Sequence, residues 1–191
     1  MTSPGIALRE EPLTELRRHV AIPNVFESRT VFDVVVTGGN MDLCETSLQL
    51  PFRKDYDALE NPLAWPVRFD TSNWVLIAAY DGDTRVGGVI GAFDTPGVDM
   101  LEGRNDLVVI WDLRVAGRVR RQGIGASLFR AVEDWGRSRG CREMKVETQN
   151  ANVAACKLYA QQGCMLAEAN FHAYPDLPDE VQLLWRKTLP A

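Results

Sequence analysis

The order of elements in the second half of the chain is the strongest constraint on the fold. An apolar run, LVVIWDLRV (Leu107–Val115), leads into VRRQGIGA (residues 119–126) and then SLFRAVEDW (residues 127–135). The first run is apolar and rich in β-branched residues, a buried strand. The last places Leu128, Phe129, Val132 and Trp135 at i, i+1, i+4 and i+7. That spacing predicts one face of a helix over residues 127–139, closed by Gly140. CREMKVETQ (residues 141–149) then alternates as a strand, with Met144 and Val146 on one face and Lys145 and Glu147 on the other. Strand, helix, strand is the crossover that a parallel pair requires. A second helix over residues 150–162, closed by Gly163, and two strands, CMLAEANFHAY and EVQLLWRKTL, complete this half.

The first half reads as hairpins. VFESRTVFDVVV (residues 25–36), the turn TGGN and the returning strand MDLCETSLQL form one, with Pro51 expected to end it. NWVLIAAY and RVGGVIGAF, joined across Asp81-Gly82-Asp83, form another. Hairpins followed by β-α-β-α-β-β make an α/β (α+β) chain with a mixed sheet. Residues 51–73 hold three prolines and no period, and an unstructured stretch of this length is usually functional or mobile. Residues 1–20 are polar and expected to be loosely ordered, with residues 21–191 forming one domain.

Composition excludes some partners. The net charge of −5 argues against nucleic acid. The four cysteines, Cys44, Cys141, Cys156 and Cys164, form no CxxC pair, and His19 and His172 are far apart in sequence, so metal-ligand spacing is absent. The thiols read as reduced and the chain as cytoplasmic. The N-terminal stretch has no apolar core behind a basic start, and no run of about 18 apolar residues would span a membrane.

The glycine turn before the first helix presents backbone N–H groups at a helix start, a site for an anion. Gly123 and Gly125 are expected to supply the torsions, and Arg120 and Arg121 the positive charge. The dinucleotide fingerprint GxGxxG fails, because Leu128 stands where its third glycine belongs, and the P-loop pattern is absent. A plain tight turn is the competing explanation.

R-x-x-G-x-G at Arg120 to Gly125 resembles the acetyl-CoA motif of the GNAT N-acetyltransferase superfamily. A second matching element, N-x-x-A-x-x-x-Y, runs from Asn152 to Tyr159 and is followed by Gly163. The likeness covers roughly residues 73 to 189. FRKDY (residues 52–56), ETQNANVAACKLYAQQGC (residues 147–164) and DEVQLLW (residues 179–185) are further similar to the streptothricin acetyltransferase subgroup.

The resemblance implies the GNAT fold, a mixed, mostly antiparallel sheet of about seven strands flanked by helices. It implies acetyl-CoA as cofactor. The amides of Arg121, Gln122, Gly123, Ile124, Gly125 and Ala126, with Arg120, would hold the pyrophosphate. The backbone of Leu113, Arg114 and Val115, on a strand splayed from its neighbour, would pair with pantetheine as an added strand. Asn152 would bond the pantetheine arm. Tyr159 would contact the cofactor and act as general acid toward the departing thiolate. Glu147 is the candidate base, with Asp112 the runner-up; an ion pair with Arg142 or Lys145 is the structural alternative for Glu147. Trp65, Trp74 and Tyr56 are candidates for an acceptor pocket, although Trp74 opens an apolar strand. Asp55, Asp57, Glu60 and Asp70 read either as receivers of a polycation or as wet loop residues.

The implied reaction is acetyl transfer to a primary amine of a small, cationic molecule, with a streptothricin-like antibiotic leading. The alternatives are a protein lysine or N-terminal acetyltransferase and a CoA-binding module without catalysis. No nucleic-acid or membrane partner is expected. Members of the superfamily often dimerise, so a homodimer is one expectation.

Overall fold

The computed structural model describes residues 5–190. In chain order the strands are β1 (Ile6–Glu11), β2 (Val25–Thr37), β3 (Asn40–Asp55), β4 (Val75–Asp81), β5 (Thr84–Phe93), β6 (Leu107–Val115), β7 (Glu143–Gln149), β8 (Met165–Asn170) and β9 (Gln182–Thr188). The helices are α1 (Leu16–Val20), α2 (Trp65–Arg68), α3 (Ile124–Ser138) and α4 (Val153–Gln161). Seven strands form one sheet in the order β1-β4-β5-β6-β7-β9-β8, and β2 and β3 form a second sheet. The pairs β1–β4, β4–β5, β5–β6 and β8–β9 are antiparallel. The chain divides into two compact units. One comprises the chain up to Asn24, Tyr56–Lys145 and the segment from Thr188; the other comprises Val25–Asp55 and Val146–Lys187.

In the first unit, β4 and β5 are buried along most of their length, as their unbroken apolar runs require. α3 turns Ile124, Leu128, Val132 and Trp135 inward. It lies close to β5 because that strand carries glycine where it passes. A Cβ on Gly87 would meet Leu128 at 3.2 Å, and one on Gly91 would meet Val132 at 3.0 Å. Neighbouring strand residues point to opposite faces, and Gly88 makes room for a different group: a Cβ there would stand 2.5 Å from the ring of His19. His19 is fully buried on α1.

Two segments of this unit differ from a plain reading of their composition. The expectation of loose order covers residues 1–20, of which 1–4 lie outside the described residues; in the rest, β1 pairs along β4 and α1 buries Leu16 and His19. Edge pairing and two core side chains, Leu16 and His19, hold the segment. Residues 51–73 have no period but are not unstructured. Asn61 and Asp70 cap short turns by accepting from Leu63 N and Ser72 N, and α2 buries Trp65. Trp65 and Trp74 join Leu76, Ile90 and Leu107 in one apolar cluster, with Phe69 and Trp111 packed against it. Burying a large apolar side chain stabilises by about 1.5–3 kcal/mol, enough to order a segment that no periodicity announces.

In the second unit, β3 runs through Pro51 instead of ending there. The ladder skips from Ser28–Phe52 to Thr30–Ser47. Pro51 thus sits in the irregular stretch, where a residue without an N–H breaks no bond. Asn150 joins three segments. It exchanges backbone and side-chain hydrogen bonds with Phe32 of β2, and its Oδ1 accepts from Val181 N at 2.8 Å. The predicted strand over residues 164–174 stops at Asn170, and Phe171 to Val181 form a loop.

Candidate active site

The turn before α3 has the geometry of an anion cradle. Arg121 and Gly123 adopt positive φ, 63° and 82°. Gly125 does not; it lies inside the first turn of the helix, so only Gly123 needs glycine's freedom there. Gly123 is the N-cap, and no side chain caps the helix. The first helical bond runs from Ser127 N to Gly123 O. The amides of Ile124, Gly125 and Ala126 precede it and point along the positive end of the helix dipole. Arg120, Arg121, Gln122 and Gly123 are exposed around them. Arg120 is anchored by its Nε, which donates to Val115 O at 3.0 Å. Three amides and two guanidinium groups fit a pyrophosphate.

Leu113, Arg114 and Val115 end β6, paired with Val89, Gly88 and Gly87. The Arg114 side chain has a different task from any contact with cofactor. Its Nε donates to both oxygens of Asp112 at 2.9 and 3.0 Å, and its Nη2 reaches Asp112 Oδ2 at 2.7 Å. Its Nη1 donates to Ile22 O and to Asp57 Oδ2. His19 Nε2 lies 3.3 Å from Asp112 Oδ1. Burial pushes the Asp112 carboxyl up, but the bonds from His19 and Arg114 and their charges outweigh it and hold it below the usual carboxylate range. The same pairing holds Arg114 above its ordinary value against its own desolvation. Asp112 is therefore a structural counter-ion, buried and saturated, and a poor candidate for a base.

The loop carboxylates are likewise engaged. Asp57 bonds Arg114 and Asn24 N, Glu60 pairs with Arg68, Asp70 caps a turn and Asp55 pairs with Arg53. Trp65 and Trp74 belong to the core.

In the second unit Glu147 lies on β7, Asn152 stands at the N-cap of α4 and Tyr159 lies within α4. Arg142 and Lys145 pair with Asp106 and Glu102. Glu147 is half-buried and accepts from Tyr174 Oη at 2.6 Å. Tyr174 Oη in turn accepts from Gln149 Nε2 at 2.8 Å. The Lys54 Nζ lies 5.7 Å from the Tyr174 ring centre and is ion-paired with Glu180. Tyr174 escaped the sequence reading because its segment alternates like a strand. Asn152 is the N-cap of α4, its Oδ1 accepting from Ala155 N at 3.2 Å. Tyr159 is buried on the inner face of α4, its ring 6.5 Å from that of Trp185. Cys156 shares that face, and burial pushes its thiol up to about 12. Burial also pushes Cys141 up to about 11. Neither is a ready nucleophile at neutral pH. Among the described residues no group of three or more His, Cys, Asp or Glu could hold a metal ion, and no helix is long and apolar enough to cross a membrane.

The acetyltransferase (GNAT) family model matches residues 42–164, a span that runs through the α3 turn to the end of α4. The chain belongs to the GNAT acetyltransferase family. Its enzymes take the acetyl group from acetyl-CoA, the ligand whose pyrophosphate suits the α3 start. A streptothricin acetyltransferase of Escherichia coli is 29% identical over 166 residues, 85% of this chain and 84% of that one. The fold matches a nourseothricin acetyltransferase with a TM-score of 0.76 at 23% identity, covering 97% of this chain and 99% of the other. It also matches a streptothricin acetyltransferase homologue from Bacillus anthracis, solved with acetyl coenzyme A, at a TM-score of 0.77 and 21% identity, covering 96% and 99%.

Proposed function

We propose that this GNAT enzyme acetylates a primary amine of a small cationic molecule, with a streptothricin-class antibiotic as the leading acceptor. The observation that carries the cofactor side is the start of α3, where three amides lie uncapped behind a left-handed glycine. The acceptor class is supported by likeness to a streptothricin acetyltransferase across 85% of the chain.

Acetyl-CoA supplies an activated acyl group and a thiolate leaving group. The chain's own residues handle charge and protons. The α3 amides, Arg120 and Arg121 hold the pyrophosphate. Asn152, which caps α4 through its Oδ1, is assigned to the pantetheine arm. Glu147, held by Tyr174, accepts the proton of the incoming ammonium through water. The amine nitrogen bonds to the acetyl carbon, the carbon–sulfur bond breaks, and Tyr159 donates a hydrogen bond to the departing sulfur. Direct transfer agrees with Cys141 and Cys156, whose raised thiols make poor acyl carriers.

The test is thiol release from acetyl-CoA with a streptothricin, aminoglycosides, polyamines and lysine peptides. Saturable turnover with the streptothricin at kcat/KM of about 10⁴ M⁻¹s⁻¹ or more is expected. Turnover with peptides alone would replace this acceptor class by a protein one.

A further inference from the structure

One cavity in the first unit lies outside the chemistry described so far. It measures about 380 Å³, within the range of small-molecule sites. Three arginines line it, Arg18, Arg85 and Arg118, with Ile22 and Pro23 as an apolar wall.

Arg85 is the unusual member. It enters from the start of β5, and its side chain is only 6% exposed. Its Nη2 is ion-paired with Glu11, and Tyr80 Oη donates to Glu11 Oε1 at 2.6 Å. Its Nε and Nη1 are buried and find no hydrogen-bond partner among the described residues. Burying a donor without a partner is costly, and a charged donor more so. Desolvation pulls the Arg85 pKa down, the direction expected where counter-charge is incomplete. Glu11 answers Arg85 and Glu15 answers Arg18 at 3.1 Å. Two carboxylates against three guanidinium groups leave the cavity positive.

Three arginines lining one space match a phosphate, which takes bidentate N–H···O bonds. We propose that this cavity binds a phosphate monoester group, with Arg85 as buried anchor and Arg18 and Arg118 as the outer clamp. Gly117 and Arg118 line it and lead directly into the Arg121–Gly123 turn. The phosphoryl group therefore has two possible sources, the 3′-phosphate of the cofactor or a separate phosphorylated small molecule. The first source rests on the proposed placing of the cofactor at the α3 start and the second goes beyond it; neither depends on the choice of acceptor.

Removing Arg85 would strand Glu11, so the test uses R18Q/R118Q, which changes two exposed side chains. Calorimetry compares the binding of acetyl-CoA and 3′-dephospho-acetyl-CoA. If the cofactor is the source, the variant loses about tenfold in affinity for the first and nothing for the second. A second arm adds inorganic phosphate or 5′-AMP to wild type saturated with acetyl-CoA, against chloride at equal ionic strength. If the ligand is separate, phosphate or 5′-AMP raises Tm in wild type and not in the variant. No phosphate-specific difference in either arm overturns the proposal. Both arms read binding, so a failure of acetyl transfer would show itself separately, in turnover.

Discussion

Replacing Asp112 by Asn separates a structural carboxylate from a catalytic one. Asp112 takes three hydrogen bonds from Arg114, at 2.7, 2.9 and 3.0 Å, and lies 3.3 Å from His19 Nε2. It is 8% exposed. Removing one partner of a buried ion pair destabilises by about 3–5 kcal/mol. Asparagine keeps the size and one acceptor, and Arg114 keeps Asp57, so the lower end, about 3 kcal/mol, applies. In a chain of this size 1 kcal/mol moves Tm by about 2–4 °C, so calorimetry should show a fall of about 6–12 °C. The pH dependence has a definite sign. The Asp112 pKa is depressed on folding. Its stabilisation is therefore present above the ordinary carboxylate value, about 3.9, and is lost as pH falls through the lower folded value. The Tm gap between wild type and variant should narrow below about pH 4. At 20 °C, where both are folded, kcat should agree within about threefold. A folded variant with kcat down a hundredfold would make Asp112 the base and refute the argument; a Tm shift below about 2 °C would refute the energetics.

Other outcomes follow from single contacts. Tyr159→Phe keeps the packing against Trp185, so the variant should fold while kcat drops about a hundredfold with acetyl-CoA affinity unchanged; unaltered turnover removes the general-acid role. Tyr174→Phe deletes the bond to Glu147 and should lower kcat about tenfold, the lower range for a hydrogen bond to a charge, without changing acetyl-CoA binding. Gly88→Ala sets a methyl 2.5 Å from the His19 ring and should destabilise by about 1–3 kcal/mol; adding His19→Ala should make the double variant less unstable than the two losses summed. A thiol reagent at pH 8 should modify Cys44 rapidly and the other three slowly, because Cys44 alone is exposed; fast labelling of Cys156 would contradict its burial.

What was legible in the sequence was what repeats with a period or matches a spacing. The α3 face, the strand at 107–115, both hairpins and the Asn152-to-Tyr159 element stand close to where the pattern put them. Trp65 was obscure because it reaches the core from an aperiodic segment between two prolines. The His19–Asp112–Arg114–Asp57 cluster was invisible, since its members come from three segments and no local rule relates residues 93 positions apart. Arg114 shows the difference well. The spacing placed its backbone at the end of a strand, while the fate of its guanidinium depended on chain folding back from far away. Tyr174 was hidden by a local alternation that the loop does not follow.

Arg121 holds φ at 63°, a region that suits glycine or asparagine. A non-glycine residue there lowers stability by about 1–3 kcal/mol. A chain selected for robustness alone would replace it, and Arg121→Gly should raise Tm. The arginine persists where its charge borders the uncapped helix start. If Arg121 holds the pyrophosphate as proposed, thermal tolerance and cofactor retention pull in opposite directions at this turn, and directed evolution for heat resistance would be expected to discard the guanidinium first.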